Sequence, residues 1–266
     1  MKQGIGIIDS GVGGLTVAKE VIRQLPREDI VYFGDTARCP YGPRPYQEIR
    51  EFSLQMIDFL LLKSIKALVI GCNTAAAVVL AEVSEKLEIP VVGVIDPGAR
   101  TALKETKTGK IAVIGTKGTI ASGAYEKALK RLNPKANVVS LACPTLVPLV
   151  ESGRSHDPGG AEIVREALAP LAGEEFDTLI LGCTHYPLIS HFIQETVGPD
   201  VRLISSAEEA ARELSVVLAY RNLLANGGDV VDTTHHFYTS GDRELFSEIA
   251  QQWLGVEVAA ERVSLE

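Results

Sequence analysis

Lys66–Ala77 reads KALVIGCNTAAA and Asp177–Leu188 reads DTLILGCTHYPL. Each is a short apolar run, then Gly-Cys, then Asn-Thr or Thr, then the start of a helical pattern. A brief, continuous, β-branched run bounded by a turn is the pattern of a strand buried on both faces. Working outward, runs of this kind recur at Ile5–Ile8, Ile30–Phe33, Ala67–Ile70, Pro90–Ile95, Ile111–Ile114, Asn137–Leu141, Thr178–Leu181 and Val201–Ile204. Between them, Gly14–Leu25, Ile49–Leu62 and Ala75–Leu87 carry apolar residues at helical spacing. Strand alternating with helix predicts parallel sheets covered by helices on both faces. Ligands of such sheets bind beyond the carboxyl ends of the strands. The residues just after each strand are therefore the candidates for chemistry.

The repetition extends along the chain. Ile5–Gly11 (IGIIDSG) is similar to Ile111–Lys117 (IAVIGTK), and Cys39-Pro40 and Cys143-Pro144 each follow a second strand. The matched points are offset by 106, 104 and 111 residues, in one order. A duplicated α/β unit is expected: two pseudo-symmetric lobes, each a mostly parallel sheet flanked by helices, with the active site in the cleft between them. The change of lobe is placed near Asp96-Pro97-Gly98. After Ser206 comes a tail with a helix (Ala207–Ala225), a strand (His235–Thr239) and a helix (Arg243–Trp253). Its pattern alone does not assign it to a lobe. Ser152–Gly160 reads as a polar, Gly- and Pro-bearing loop.

Composition narrows the class. The 266 residues are enough for about two domains with their own core. With 26 Lys and Arg against 34 Asp and Glu, the formal charge is −8, and the basic residues are scattered. That is not the footprint of a nucleic-acid binder. No stretch approaches 18 uninterrupted apolar residues, so no membrane span is expected. The start, MKQGIGIIDSG, has an apolar run too short for a signal peptide. Four separated cysteines, with no CxxC pair, point to reduced thiols in a cytoplasm rather than to a zinc ribbon or a redox pair.

Cys72 and Cys183 are the leading candidates. A thiol at a helix N-terminus meets unpaired backbone N–H groups and the positive end of the dipole, which favour the thiolate. Asn73, Thr74 and Thr184 could cap the following helices, and Pro187 suits a first helical turn. Either Cys alone could be a small core residue. Two at equivalent points of a duplicated unit, brought face to face across a cleft, suit a different task. One base removes a proton from a carbon and the other protonates the opposite face, inverting the stereocentre. A nucleophilic hydrolase would need one Cys and one base.

Other residues are read beside them. Asp9-Ser10-Gly11-Val12-Gly13-Gly14 follows the first strand and is neither GxGxxG nor a P-loop. Asp9 could receive an ammonium group, tune a nearby thiol, or cap the following helix. After the second strand, Tyr41-Gly42 could give a hydroxyl and a backbone N–H to a carboxylate, or could form a structural turn with Pro40. His185, two residues after Cys183, could support proton transfer. Glu151 could be a site carboxylate or a solvated one. Cys39 and Cys143 are read as structural, as are His235 and His236, which would face opposite sides of a strand. His156 and His191 are read as surface residues.

In this order IGIIDSGVGGLTV, YFGDTARCPYG, VIGCNTAAA and LGCTHYPLI closely resemble the glutamate racemases, cofactor-independent members of the aspartate/glutamate racemase family. The resemblance runs from Ile5 to Asp242. It implies two similar α/β lobes with glutamate between them, and a tail returning to the first. The expected division is 1–97 plus 207–266, and 98–206. It also implies D-glutamate production for peptidoglycan in the cytoplasm, by a homodimer that uses neither pyridoxal phosphate nor a metal. The family's first cysteine, acting on the D-enantiomer, matches Cys72, and the second, acting on the L-enantiomer, matches Cys183. The assisting groups match Asp9 and His185, and Asp35 and Glu151 match further carboxylates. Substrate-holding positions match Asp9, Ser10, Tyr41, Gly42, Asn73, Thr74, Thr184 and His185.

Overall fold

The structure, a computed structural model, describes residues 3–153, 157–225 and 233–265. His156 and the middle of the loop at 152–160 lie outside the described residues. The chain divides into two compact units, Met1–Val94 with Ala207–Glu266, and Ile95–Ser206.

In the first unit, β1 (Gly4–Asp9), α1 (Leu15–Gln24), β2 (Ile30–Gly34), α2 (Tyr46–Leu61), β3 (Ile65–Ile70), α3 (Asn73–Lys86) and β4 (Val91–Gly93) follow one another. In the second come α4 (Ile95–Glu105), β5 (Lys110–Gly115), α5 (Lys117–Ser122), α6 (Ala124–Leu132), β6 (Asn137–Ala142), α7 (Leu146–Glu151) and α8 (Pro158–Leu168). They are followed by β7 (Thr178–Gly182), a 3₁₀ turn at Tyr186–Ile189, α9 (Ser190–Val197) and β8 (Arg202–Ser205). The remainder is α10 (Ser206–Tyr220), β9 (His235–Thr239), α11 (Arg243–Leu254) and β10 (Ala260–Arg262).

Both sheets are parallel. The first has the order β10-β9-β2-β1-β3-β4 and the second β6-β5-β7-β8. Leaving out the tail's strands, each unit runs second strand, first, third, fourth. The duplication read from the sequence is thus a duplication of topology. Each first strand lies between two neighbours whose connections leave in opposite directions, the switch point at which ligands of open α/β sheets bind.

The central strands are apolar because both faces are covered: Ile5, Ile7, Ile8, Leu68, Val69 and Ile70 are fully buried, as are Ala112, Val113, Ile114, Leu179 and Ile180. Each of these Val, Leu and Ile side chains contributes about 1.5–3 kcal/mol by leaving water. The expectation of two-sided burial does not hold for β6 and β8. They are the edges of the second sheet, and β6 has no fully buried residue. The run expected as a strand over Pro90–Ile95 is also shortened. It pairs only from Val91 to Gly93, and Ile95 already begins α4, whose third residue is Pro97. Proline suits a first helical turn because no N–H is needed there.

The tail joins the first unit. β9 pairs along β2 from Ile30–His235 to Gly34–Thr239, and β10, unanticipated in the sequence, pairs with β9. Tyr32 contacts Phe237 and Phe246, and Phe59 contacts Tyr238, so aromatic packing holds the added strand and α11. At the other end of the sheet a buried pair, Lys66 Nζ–Glu28 Oε2 at 2.6 Å, fixes the chain after α10: Lys66 donates to the Leu223 carbonyl and Glu28 accepts the Ala225 N–H. Among the described residues no helix is long and apolar enough to cross a membrane.

Candidate active site

In the first unit the residues singled out from sequence gather at the carboxyl ends of β1, β2 and β3. Parallel pairing puts Asp9 level with Gly34 and Ile8 level with Ile70, so Asp9, Asp35 and Cys72 stand at one end of the sheet. Two backbone bonds continue the level: Asp35 N–H to the Asp9 carbonyl at 3.0 Å and Gly71 N–H to the Ile8 carbonyl at 2.8 Å. Asp9, Ser10, Tyr41, Cys72, Asn73 and Thr74 are all buried.

Cys72 is itself the N-cap of α3. Its sulfur accepts the Ala75 N–H at 3.5 Å and lies 3.6 Å from Ser10 Oγ. The caps expected of Asn73 and Thr74 are thus replaced by the thiol. A sulfur already receiving a backbone N–H at a helix start is in a place that stabilises negative charge. The Ser10 hydroxyl can turn to donate once the sulfur is ionised.

Asp9 does not cap the next helix: α1 is capped at Gly14 without a side-chain bond. Instead Asp9 Oδ1 accepts the Gly11 N–H at 3.0 Å, and the Tyr32 hydroxyl donates to the Gly11 carbonyl at 2.8 Å. Gly14 is required here by packing. A Cβ on it would lie 2.4 Å from Asp9 Cβ and 2.8 Å from the Tyr32 hydroxyl.

Asp35 is fully enclosed. Tyr41 donates its hydroxyl to Oδ2 at 2.5 Å, Arg38 Nε donates to the same oxygen at 2.7 Å, and the Ser240 hydroxyl donates to Oδ1 at 2.6 Å. Burial first, then the neighbouring Asp35, raises the Tyr41 pKa far above the phenol range. Its one proton is committed to Asp35. The hydroxyl that the sequence reading offered to a substrate carboxylate is therefore spent, and the turn has backbone N–H groups left to offer.

The second unit repeats the plan with different partners. Gly115 pairs with Gly182, which puts Cys183 at the same strand end that Cys72 occupies in the first unit. Cys183 does not cap an α-helix: Tyr186–Ile189 is a 3₁₀ turn and α9 starts only at Ser190. Its sulfur instead faces His185 Nδ1 at 3.7 Å, and His185 Nε2 lies 3.1 Å from Glu151 Oε1 at the end of α7. Burial alone would lower the His185 pKa, but the bonds to Cys183 and Glu151 outweigh it and push it up to about 10. The imidazole is then charged at neutral pH, a cation between the Cys183 sulfur and the Glu151 carboxylate. Thr184 is buried beside it.

The remaining expectations concern bland roles. Cys143 is buried, its sulfur faces the carbonyls of Leu141 and Ala167, and its own carbonyl accepts the Tyr186 hydroxyl at 3.1 Å. Burial, then the nearby Cys183, pushes its thiol up to about 12. An unionised thiol is a poor base and nucleophile. Cys143→Ala should leave the chain folded and cost about 1 kcal/mol of stability, measured by denaturant unfolding. His191 is exposed, its ring tilted against that of Phe192. On β9, His235 is half-buried and His236 exposed. Among the described residues no three His, Cys, Asp or Glu side chains group as a metal site. Arg38 and Ser240 escaped the sequence reading. The available signal was the position of Thr239-Ser240-Gly241, just past a strand that joins the same sheet.

A family model described as Asp/Glu/Hydantoin racemase matches residues 5–214. A glutamate racemase of Bacillus cereus is 56% identical over 255 residues, 96% of this chain and 94% of its own length. Among solved structures, a glutamate racemase isoform from Bacillus anthracis has a TM-score of 0.96 at 52% identity, covering 100% of this chain and 99% of its own. One from Francisella tularensis, in complex with D-glutamate, has a TM-score of 0.92 at 34% identity, covering 100% and 98%. With the same parallel sheets and this likeness along its whole length, the chain belongs to the Asp/Glu/hydantoin racemase family, in its glutamate racemase branch.

Proposed function

We propose that the chain interconverts L- and D-glutamate, as an isomerase, by proton transfer between the substrate α-carbon and two cysteines. The observation that carries the mechanism is the pair of thiols, Cys72 and Cys183, at the same strand end of two copies of one sheet topology. The substrate is carried over from the full-length glutamate racemase relatives.

Starting from L-glutamate, the Cys183 thiolate takes the α-proton and becomes a thiol. The electron pair stays on the α-carbon. The Cys72 thiol then gives its proton to the opposite face of that carbon and becomes a thiolate. Atoms and charge balance, and the reverse path starts from D-glutamate with Cys72 as base. An α-proton is weakly acidic, so the carbanion must be stabilised in a site that excludes water. Backbone N–H groups of the turns after β1, β2 and β3 can serve a carboxylate there.

Asp9 receives the ammonium group or tunes Cys72, and His185 with Glu151 supports Cys183. Ser10, Asn73, Thr74, Thr184, His185 and the backbone N–H groups of the Tyr41-Gly42 turn hold the substrate, and Asp35 acts on it by holding the Tyr41 side chain. The reading needs no pyridoxal phosphate and no metal. It places the activity in the cytoplasm, in a homodimer, supplying D-glutamate for peptidoglycan. These last assignments rest on the family resemblance.

The test is incubation of the purified protein with L-glutamate in D₂O without added cofactor, following optical rotation and α-deuterium together. Decaying rotation with deuterium entering the product is the expected result. Folded protein that binds glutamate yet leaves rotation and hydrogen unchanged would reduce the role to binding. No binding of glutamate, with turnover of aspartate, would move the substrate to the sister activity.

A further inference from the structure

We propose that Ser240, 205 residues away in sequence, is a positioning residue of the glutamate site: through Asp35 it holds Tyr41 and the turn that Tyr41 forms with Gly42. The inference rests on the reading of Tyr41-Gly42 as substrate-holding.

Three observations lead to it. The Ser240 hydroxyl is used twice, donating to Asp35 Oδ1 at 2.6 Å and accepting the Ala37 N–H at 3.0 Å. Its neighbours fix the same loop: Thr239 Oγ1 lies 2.6 Å from Thr36 Oγ1, and the Gly241 N–H reaches Thr36 Oγ1 at 3.1 Å. A Cβ on Gly241 would lie 2.5 Å from Thr36 Oγ1, so the close approach requires glycine. Finally, Asp35 is enclosed and both of its oxygens receive donors.

A carboxylate turns about its Cβ–Cγ bond unless both oxygens are held. Arg38 and Tyr41 share Oδ2, and Ser240 supplies the donor on Oδ1 that stops the turning. Tyr41 has one proton and gives it to Oδ2, so its ring position follows the orientation of that carboxylate. The ring also packs on Phe52, whose face carries the Arg38 guanidinium at 4.0 Å. Ser240 thus completes a chain from the C-terminal segment to a turn at the ligand end of β2. The expected consequence is on substrate affinity, because this chain of contacts ends at the turn proposed to hold the substrate.

The experiment measures kcat and KM for L-glutamate in Ser240→Ala, Ser240→Thr, Ser240→Cys, Tyr41→Phe and the double variant Ser240→Ala/Tyr41→Phe, with circular dichroism to establish folding. Ser240→Ala should raise KM by about tenfold and leave kcat within about twofold, the scale of one buried hydrogen bond. Ser240→Thr keeps the hydroxyl and should restore KM. Ser240→Cys, a weak donor of similar size, should fall between and serves if the alanine variant is unfolded. In the Tyr41→Phe background, Ser240→Ala should add less than about twofold, because the group it acts through is gone. An unchanged KM in Ser240→Ala, an equal rise in both backgrounds, or no recovery in Ser240→Thr would overturn the proposal. Unaltered protein that neither binds nor racemises glutamate would instead remove the functional reading, and this inference with it.

Discussion

Cys72→Ala and Cys183→Ala should each lower racemisation by about a thousandfold or more, the largest losses expected of any substitution in this chain. Positioned acid–base groups contribute about 10²–10⁴-fold each, and here one group must remove a proton while the other supplies one. The informative result is the residue of activity. In Cys72→Ala, Cys183 can still take the proton of L-glutamate and return a solvent deuteron to the same face. Slow α-deuteration of L-glutamate without loss of rotation should therefore persist in D₂O. Cys183→Ala should do the same for D-glutamate only. Proton NMR of the α-position with each pure enantiomer reads both. Near-normal racemisation by either variant would end the two-thiol reading. Exchange of both enantiomers by one variant would show that a third group acts as base.

His185→Asn should lower kcat/KM by about a hundredfold, because it removes the cation beside Cys183 and the link to Glu151. The pH behaviour follows from the same contacts. Burial opposes the charge on His185, and its two partners raise the pKa to about 10 against the ordinary 6.5. A folded value above the unfolded one means that the charged imidazole stabilises the fold fully below about pH 6.5. That contribution declines as pH rises and is gone above about 10. Glu151→Gln removes one of the supporting partners, so the alkaline limb of kcat/KM should move to lower pH. The difference in Tm between the unaltered chain and Glu151→Gln should shrink between pH 7 and pH 10.5. A difference in Tm that stays constant over this range would show that Glu151 does not hold the charge.

Much of this was readable from local pattern. Continuous apolar runs located the four strands of each repeated unit, and the two-sided burial they imply holds at the central strands β1, β3, β5 and β7. The repeat of Gly-Cys after the third strand located Cys72 and Cys183 at matched strand ends. What local pattern missed has physical reasons. β6 and β8 are edge strands, where one row of backbone groups has no neighbouring strand, so their burial could not be read from composition. β10 has three residues, too few for a period. The turn after Cys183 is 3₁₀ because its hydrogen bonds span three residues, a choice that the sequence THYPL does not announce. Arg38 reaches Asp35 within one turn, but Ser240 reaches it because β9 joins β2. That pairing joins segments about 205 residues apart, and no window along the chain contains it.

The two thiols are dressed differently. Cys72 leans on a helix start and a serine, Cys183 on an imidazole and a carboxylate. Enantiomers in water have equal free energy, so their equilibrium constant is one. A single catalyst working in both directions must then have equal kcat/KM for the two. Unequal surroundings cannot break that equality, but they can divide each ratio differently. The hand whose proton faces the cationic partner should show kcat and KM that both differ, by one common factor, from those of its mirror image. A full progress curve from each hand would give the factor, a direct reading of how unlike two copies of one topology have become.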